Sequence, residues 1–247
     1  MAKRIQSPTS INMYKRCPRK YYLHYILKRR VTPNIHLYRG SIVHAAINFF
    51  ENREIKNITD FDYPVLREEL ICIFNDEWTR NEKNIRALNI SPQEIRSYYN
   101  ESVEMLENFL LHFIKEHTRP PPVKKRELKL FSSPEYCVMG IIDLVKENKE
   151  TIEIIDYKTS KTPVINDEYL LQLALYALLY EENFKKRPSK VGINFLKFKD
   201  GLKLIDVDDK LINLAKREAK MIQVNTLSGD PSNYPCICGG WCERDFQ

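Results

Sequence analysis

In the first half of the chain, apolar residues recur at intervals of three and four, the period of a helix that buries one face. Ser7-Pro-Thr-Ser reads as a helix start. Pro18 interrupts that helix, and a second run continues through Tyr21, Tyr22, Leu23 and Ile26. Gly40 precedes a helix carrying Val43, His44, Ile47 and Phe50 at helical spacing. Pro64 to about Trp78 is a third. Pro92 stands near the first turn of a long helix ending about His117, where the missing proline N–H costs least. Arg119-Pro-Pro-Pro then stops all helix and predicts a stiff connector.

Beyond the connector the period changes to two. Residues 126–131, 136–146 and 151–158 predict three strands, with Glu147-Asn-Lys-Glu as a tight turn between the last two. A helix follows from Asn166, a good N-cap, to Asn183. Strands near 190–199 and 202–207 share Asp200-Gly201 as a hairpin turn, and a last helix covers about 208–226. The pattern predicts an α/β fold, a mixed central sheet flanked by helices with a helical N-terminal part. The expected division is 1–119 helical, 120–227 sheet-bearing core and 228–247 a cysteine-rich tail.

A length of 247 residues suits one large domain, or a core with a helical annex. With 39 Lys and Arg against 33 Asp and Glu, the formal charge is +6, compatible with a polyanionic partner without requiring one. No run of roughly 18 apolar residues could span a bilayer, and no signal peptide opens the sequence. The expectation is therefore an intracellular, cytoplasmic protein with no membrane partner. In a reducing compartment, 6 cysteines argue for metal binding where they cluster.

In Thr151-Ile-Glu-Ile-Ile-Asp-Tyr-Lys-Thr, alternate residues share a face, so Asp156 and Lys158 continue the side begun by Ile152 and Ile154. Charges in line with a core are costly unless they are paired or hold a metal. Asp143 interrupts the apolar run Met139-Gly-Ile-Ile-Asp-Leu-Val in the same way, with Ile141 and Val145 on its face. A hairpin around residues 147–150 would bring Asp143 and Asp156 together. Two close carboxylates repel unless a cation compensates, and oxygen ligands favour Mg or Mn. A nearby lysine could position an attacking water and stabilise charge developing on a phosphate. The bland alternative is a surface ion pair between Asp156 and Lys158.

Gly140-x-x-Asp143 followed by Asp156-x-Lys158 resembles the core of PD-(D/E)XK nucleases, in their RecB-type branch. Arg39-Gly-x-x-x-His44, Gln172-x-x-x-Tyr176 and the segment from Ser10 to Tyr22 resemble three further motifs of that branch, in its order along the chain. The resemblance implies a restriction-endonuclease-like core. His44, Asp143 and Asp156 would be metal ligands, joined by the backbone carbonyl of Tyr157, and Lys158 would be catalytic. Gln172 and Tyr176, on one helical face, would line the DNA groove, and Glu127 would be an outer ligand. Taken alone, His44 reads as a satisfied core histidine, and Gln172 and Tyr176 as the edge of a packed helix.

The tail, Pro235-Cys-Ile-Cys-Gly-Gly-Trp-Cys, places Cys236, Cys238 and Cys242 within seven residues. Cys17 is the obvious fourth ligand. Cys72 and Cys137 read as core residues. Resemblance to the CRISPR-associated RecB-like exonucleases implies a [4Fe-4S] cluster on Cys17, Cys236, Cys238 and Cys242. The spacing of the last three is tighter than usual there, and zinc is the rival. Basic runs at Lys28-Arg-Arg, Lys124-Lys-Arg and Lys185-Lys-Arg read mostly as solvated surface. Most of the tyrosines near the start read as annex core.

The expected function is a metal-dependent exonuclease on single-stranded DNA ends. The resemblance implies either trimming of CRISPR spacer precursors beside an integrase partner or a repair and recombination role. A catalytically silent DNA-binding module with a structural metal cluster is the competing class. Retention of both aspartates and the lysine argues against it.

Overall fold

The computed structural model describes residues 4–52, 62–117, 124–126, 129–148 and 151–246. The proline-rich connector and Glu127 lie outside them. Helix α1 (Pro8–Arg16) starts in a capping box, where the Ser10 N–H donates to Ser7 Oγ at 3.1 Å and the Ser7 N–H to Ser10 Oγ at 2.8 Å. Cys17 is extended, and Pro18 opens α2 (Pro18–Tyr21), which loosens into a π-helical turn over Tyr22–Ile26. Helix α3 (Ile35–Glu51) begins earlier than its glycine suggested. Asn34 caps it by accepting from the Leu37 N–H at 3.1 Å, and Gly40 lies inside it. Helix α4 (Tyr63–Arg86) runs about two turns beyond Trp78. Helix α5 (Pro92–His117) has the predicted limits.

The main sheet has five strands in the order β1 (Lys124–Arg126), β4 (Leu144–Glu147), β5 (Ile152–Lys158), β6 (Lys190–Phe195), β7 (Leu202–Asp206). Only β5 and β6 are parallel. Helix α6 (Asp167–Phe184) connects them, since parallel neighbours need a crossover. Asn166 and Asp208 cap α6 and α7 (Asp209–Asn225) as those residue types should, accepting from the Tyr169 and Leu211 N–H groups at 2.9 and 2.8 Å. A separate hairpin pairs β2 (Lys129–Ser133) with β3 (Val138–Ile142).

Two of the predicted strands are each divided. The stretch 126–131 is the end of β1 and the start of β2. The stretch 136–146 bends at Asp143, which belongs to neither β3 nor β4. The bend resets the alternation. Val138 and Ile142 face one core and so does Val145, an odd step from Ile142, while Ile141 is 55% exposed. Ile141 therefore does not continue a buried face with Asp143 and Val145. The β6–β7 link is also longer than a two-residue turn. Leu196 to Gly201 form it, Leu196 dips into the core, and the Gly201 N–H donates to the Phe198 carbonyl at 3.1 Å. A Cβ on Gly201 would stand 2.1 Å from the Phe195 carbonyl oxygen, so glycine is required by close approach.

The sheet separates two cores. On one side α1, the Tyr21–Tyr22 segment, α6 and α7 pack with Ile154, Val191 and Ile193. On the other, α3, α4 and α5 pack with Leu144, Ile155 and Tyr157. Strand β5 is thus covered on both faces, as a central strand should be. The helices of residues 1–119 divide between the two faces. Tyr234, fully buried, stacks on Tyr21 with ring centroids 6.3 Å apart, and ties the tail to the first helices. The α8 turn (Trp241–Arg244) follows. Among the described residues no helix is long and apolar enough to cross a membrane.

Candidate active site

The register of the β4–β5 hairpin explains why two aspartates meet. Leu144 pairs with Ile155, so the next position outward sets Asp143 against Asp156. The Tyr157 N–H, freed from the ladder by the bend, donates to Asp143 Oδ2 at 2.9 Å. His44 enters from α3, with Nδ1 3.4 Å from the same oxygen. Burial raises Asp143, but the hydrogen bond and charge of His44 and the Tyr157 N–H outweigh it and hold the carboxyl below its usual range. Burial lowers His44 and Asp143 more than restores it, so the imidazole is held above its ordinary value.

Asp156 is 3% exposed. Burial, with Asp143 beside it, pushes its carboxyl up to about 6 despite Lys158. Gln172 Nε2 donates to Asp156 Oδ1 at 3.0 Å and to the Tyr176 hydroxyl at 2.8 Å. Asp156 Oδ2 is ion-paired with Lys158 Nζ at 2.6 Å. Burial depresses Lys158 and Asp156 overcomes it, so the ammonium stays charged well above neutral pH.

The structure thus brings His44, Asp143, Asp156, Lys158, Gln172 and Tyr176 to one end of the sheet. Tyr176 is 5% exposed, so it offers its hydroxyl to Gln172 rather than an open face. Gly140 makes its room, because a Cβ there would stand 3.1 Å from the Tyr176 ring. Two neighbouring buried carboxylates and an imidazole suit a hard divalent cation. His44, Asp143 and Asp156 could hold it.

The four tail-and-helix cysteines are also gathered. Their sulfurs all lie within 4.8 Å of one another. Cys236 Sγ is 3.6 Å from Cys238 Sγ and 3.5 Å from Cys242 Sγ, and the Gly240 and Cys242 N–H groups donate to Cys236 and Cys238 at 3.3 and 3.2 Å. Backbone N–H groups from Cys238 and Gly240 bring the Cys236 thiol down to about 7. The Arg19 N–H donates to the Pro235 carbonyl at 3.3 Å, so Cys17 is presented to the tail by the turn that Pro18 forces. Four converging thiols fit a thiolate-bound metal. Cys72 is exposed, and Cys137 sits half-buried in the β2–β3 turn at a positive φ of 50°. Neither is the core residue expected. Apolar neighbours in sequence did not determine which way each one faced.

Sequence reasoning passed over three groups. Arg39 is buried and bonded to Glu101 on α5, Lys197 reaches the same carboxylate, and the Tyr157 hydroxyl donates to Glu51 at 3.3 Å. Arg39 carried a signal, a lone cation amid an apolar helix; the others are pairings of distant residues. Of the basic runs, Lys28 to Arg30 is exposed surface, and Arg187 is occupied by Glu181 and Asp209. The side chains of Lys124 to Arg126 lie outside the described residues.

A mixed sheet that sets two carboxylates and a lysine at one end of its central strands, with an imidazole from a flanking helix, defines a nuclease-type α/β fold. Residues 6–244 match the family model of the PD-(D/E)XK nuclease superfamily, and the chain belongs to that superfamily. Its members typically use divalent metal ions. The architecture is the restriction-endonuclease-like one. A "Putative exonuclease" from Eubacterium rectale has a similar solved structure, with a TM-score of 0.58 at 12% identity over 99% of this chain and 89% of that chain. At that identity the likeness concerns the fold alone. A second structure, SSO0001, aligns with a TM-score of 0.28 at 12% identity over 74% of this chain and 85% of that one, too low to bear on the argument. No curated protein matches the chain.

Proposed function

We propose that the chain is a metal-dependent deoxyribonuclease that works as an exonuclease on single-stranded DNA ends. The observation that carries the reading is the placement of Asp143 against Asp156 with Lys158 Nζ 2.6 Å from the latter. His44, Asp143, Asp156 and the Tyr157 carbonyl hold Mg or Mn. Once bound, the ion supplies the positive charge that neutralises a scissile phosphate. Gln172 fixes the orientation of Asp156, and Tyr176 fixes Gln172. Tyr157 sets Asp143 through its N–H. Lys158, charged at neutral pH, lies where it can orient a water and stabilise the charge that develops on the phosphate. Gln172, half-buried, is the better placed of the α6 pair to meet a strand as well.

Cys17, Cys236, Cys238 and Cys242 hold a metal that staples the tail to the first helices. Resemblance to RecB-like nucleases supports a [4Fe-4S] cluster. Zinc is the rival, since it would be held by the same four thiolates, whose sulfurs lie within 4.8 Å of one another. Absorbance at about 400 nm in an anaerobic preparation marks the cluster; a colourless protein with stoichiometric zinc marks the ion. The cellular role we assign is DNA-end processing, either in CRISPR adaptation beside an integrase or in repair and recombination; the motif order and cysteine layout support that class. Nuclease assays with Mn or Mg on wild type, Asp156→Ala and Lys158→Ala test the site. Cleavage by wild type alone is expected. Equal activity in all three would sink the assignment, and inactivity in all three would leave a DNA-binding module.

A further inference from the structure

A second polar cluster closes around the chain immediately after Lys158. Arg39, on α3, is 3% exposed. Its guanidinium donates to Glu101 Oε2 at 2.7 Å and to the Thr159 carbonyl at 3.1 Å, and it lies over the Tyr98 ring at 5.3 Å. Its Nε is buried without a hydrogen-bond partner. Lys197, from the β6–β7 turn, reaches the same Glu101 oxygen at 2.5 Å. His36, one helical turn before Arg39, meets the Tyr98 ring edge-on at 5.3 Å. Lys161 is exposed and near enough for its charge to act on both Glu101 and His36.

Arg39 and Lys197 therefore share the one carboxylate of Glu101, with Lys161 close by as a third cation, and no other carboxylate among the described residues is seen to pair with them. Arg39 and Lys197 are drawn from water, where a charge is ordinarily matched because an uncompensated one is costly, and Lys161 stands at the exposed mouth of the cluster. The imbalance also registers on His36, which burial and then Arg39, Lys161 and Lys197 hold below its ordinary value. The missing partner is an anion. Its place is the end of β5, because the Thr159 carbonyl that Arg39 holds belongs to the residue after Lys158.

We propose that Lys161 and Lys197, backed by Arg39, form a second phosphate subsite. It takes the backbone phosphate next to the scissile one in a DNA single strand. The proposal rests on the nuclease reading of the Lys158 centre. Lys161 and Lys197 make the contact. Arg39 is a positioning residue, holding the carbonyl that ends β5 and the Glu101 carboxylate that keeps Lys197 extended. The site reads charge, not sequence, so it adds affinity without base preference.

The test is fluorescence anisotropy of a labelled oligothymidylate of about 20 nucleotides, across a salt series and without added divalent ion. The full chain is compared with the double variants Lys161→Ala/Lys197→Ala and Lys161→Arg/Lys197→Arg. With the alanines, the slope of log affinity against log salt should fall by about 1.4, at about 0.7 per lost contact, and binding should weaken about tenfold at moderate salt. The arginine variant should keep the wild-type slope, and the thermal melts of both variants report that they fold. An unchanged slope and affinity in the alanine variant overturns the subsite. Cleavage by wild type with Mn separates the two claims. If wild type cleaves and the slope does not change, the subsite alone is wrong. If wild type never cleaves and the slope falls, the phosphate site stands and the nuclease reading fails.

Discussion

Replacing Asp156 with asparagine should tilt the pH profile of stability in a stated direction. In the metal-free protein, burial and then Asp143 lift the Asp156 carboxyl from 3.8 to about 6. The native state therefore binds this proton more tightly than the unfolded chain. Below the unfolded value both states are protonated and the group contributes its full stability. As pH rises through 6 the native carboxyl must ionise where it is buried, and that stability is lost. Just over two decades of proton affinity correspond to about 3 kcal/mol, at about 1.4 kcal/mol per decade. Asparagine cannot ionise, so it removes this descending limb. It also removes the partner of Lys158 Nζ at 2.6 Å, but that ion pair forms only as Asp156 ionises and is already contained in the value of about 6, so it adds no separate limb. The difference between variant and wild type should move by about 3 kcal/mol in the variant's favour between about pH 4 and 7. For a chain of this size that is about 6–12 °C in Tm. Urea unfolding of metal-free protein at a series of pH values measures it. Manganese added at neutral pH should stabilise wild type and not the variant. Parallel pH profiles would refute the argument that Asp156 is a buried, repelled carboxylate awaiting a cation.

Three further outcomes follow from the same geometry. Gln172→Ala removes the donor that orients Asp156 Oδ1, so manganese affinity by calorimetry should fall about 10- to 100-fold with the fold intact. Gly140→Ala sets a methyl 3.1 Å from the Tyr176 ring and Leu179; about 1–3 kcal/mol of stability should be lost in thermal melts. Cys236→Ser, at an exposed position, leaves no cavity but breaks the thiolate set, so the tail beyond α7 should become the first site of limited proteolysis while wild type resists.

Much of this architecture was legible because local chemistry and global fold agree. Ser7 and Asn166 cap helices where their side chains predict it. The spacing of Asp143 and Asp156 about a short hairpin dictated that they would meet. Strand parity correctly gave Asp156 and Lys158 the face of Ile152 and Ile154. Parity failed at Asp143 because it assumes a continuous strand, and the bend that frees the Tyr157 N–H for Asp143 has no signature in an apolar run. Gly40 looked like a helix boundary because glycine is a poor helix former, yet Asn34 supplies the cap and tertiary packing carries the helix through. The exposure of Cys72, the depth of Tyr176 and the meeting of Arg39, Glu101 and Lys197 depend on which helices share a face of the sheet. That is settled by residues far apart in sequence.

The central claim is that Asp143, Asp156 and Lys158 form a working hydrolytic centre. Its most direct test is manganese-dependent cleavage of a single strand labelled at either end, by wild type and by Lys158→Ala, with manganese binding measured on both. The account predicts progressive shortening by wild type. It predicts a loss of about 100- to 1,000-fold in Lys158→Ala, with manganese still bound. Cleavage at the wild-type rate by Lys158→Ala would contradict it.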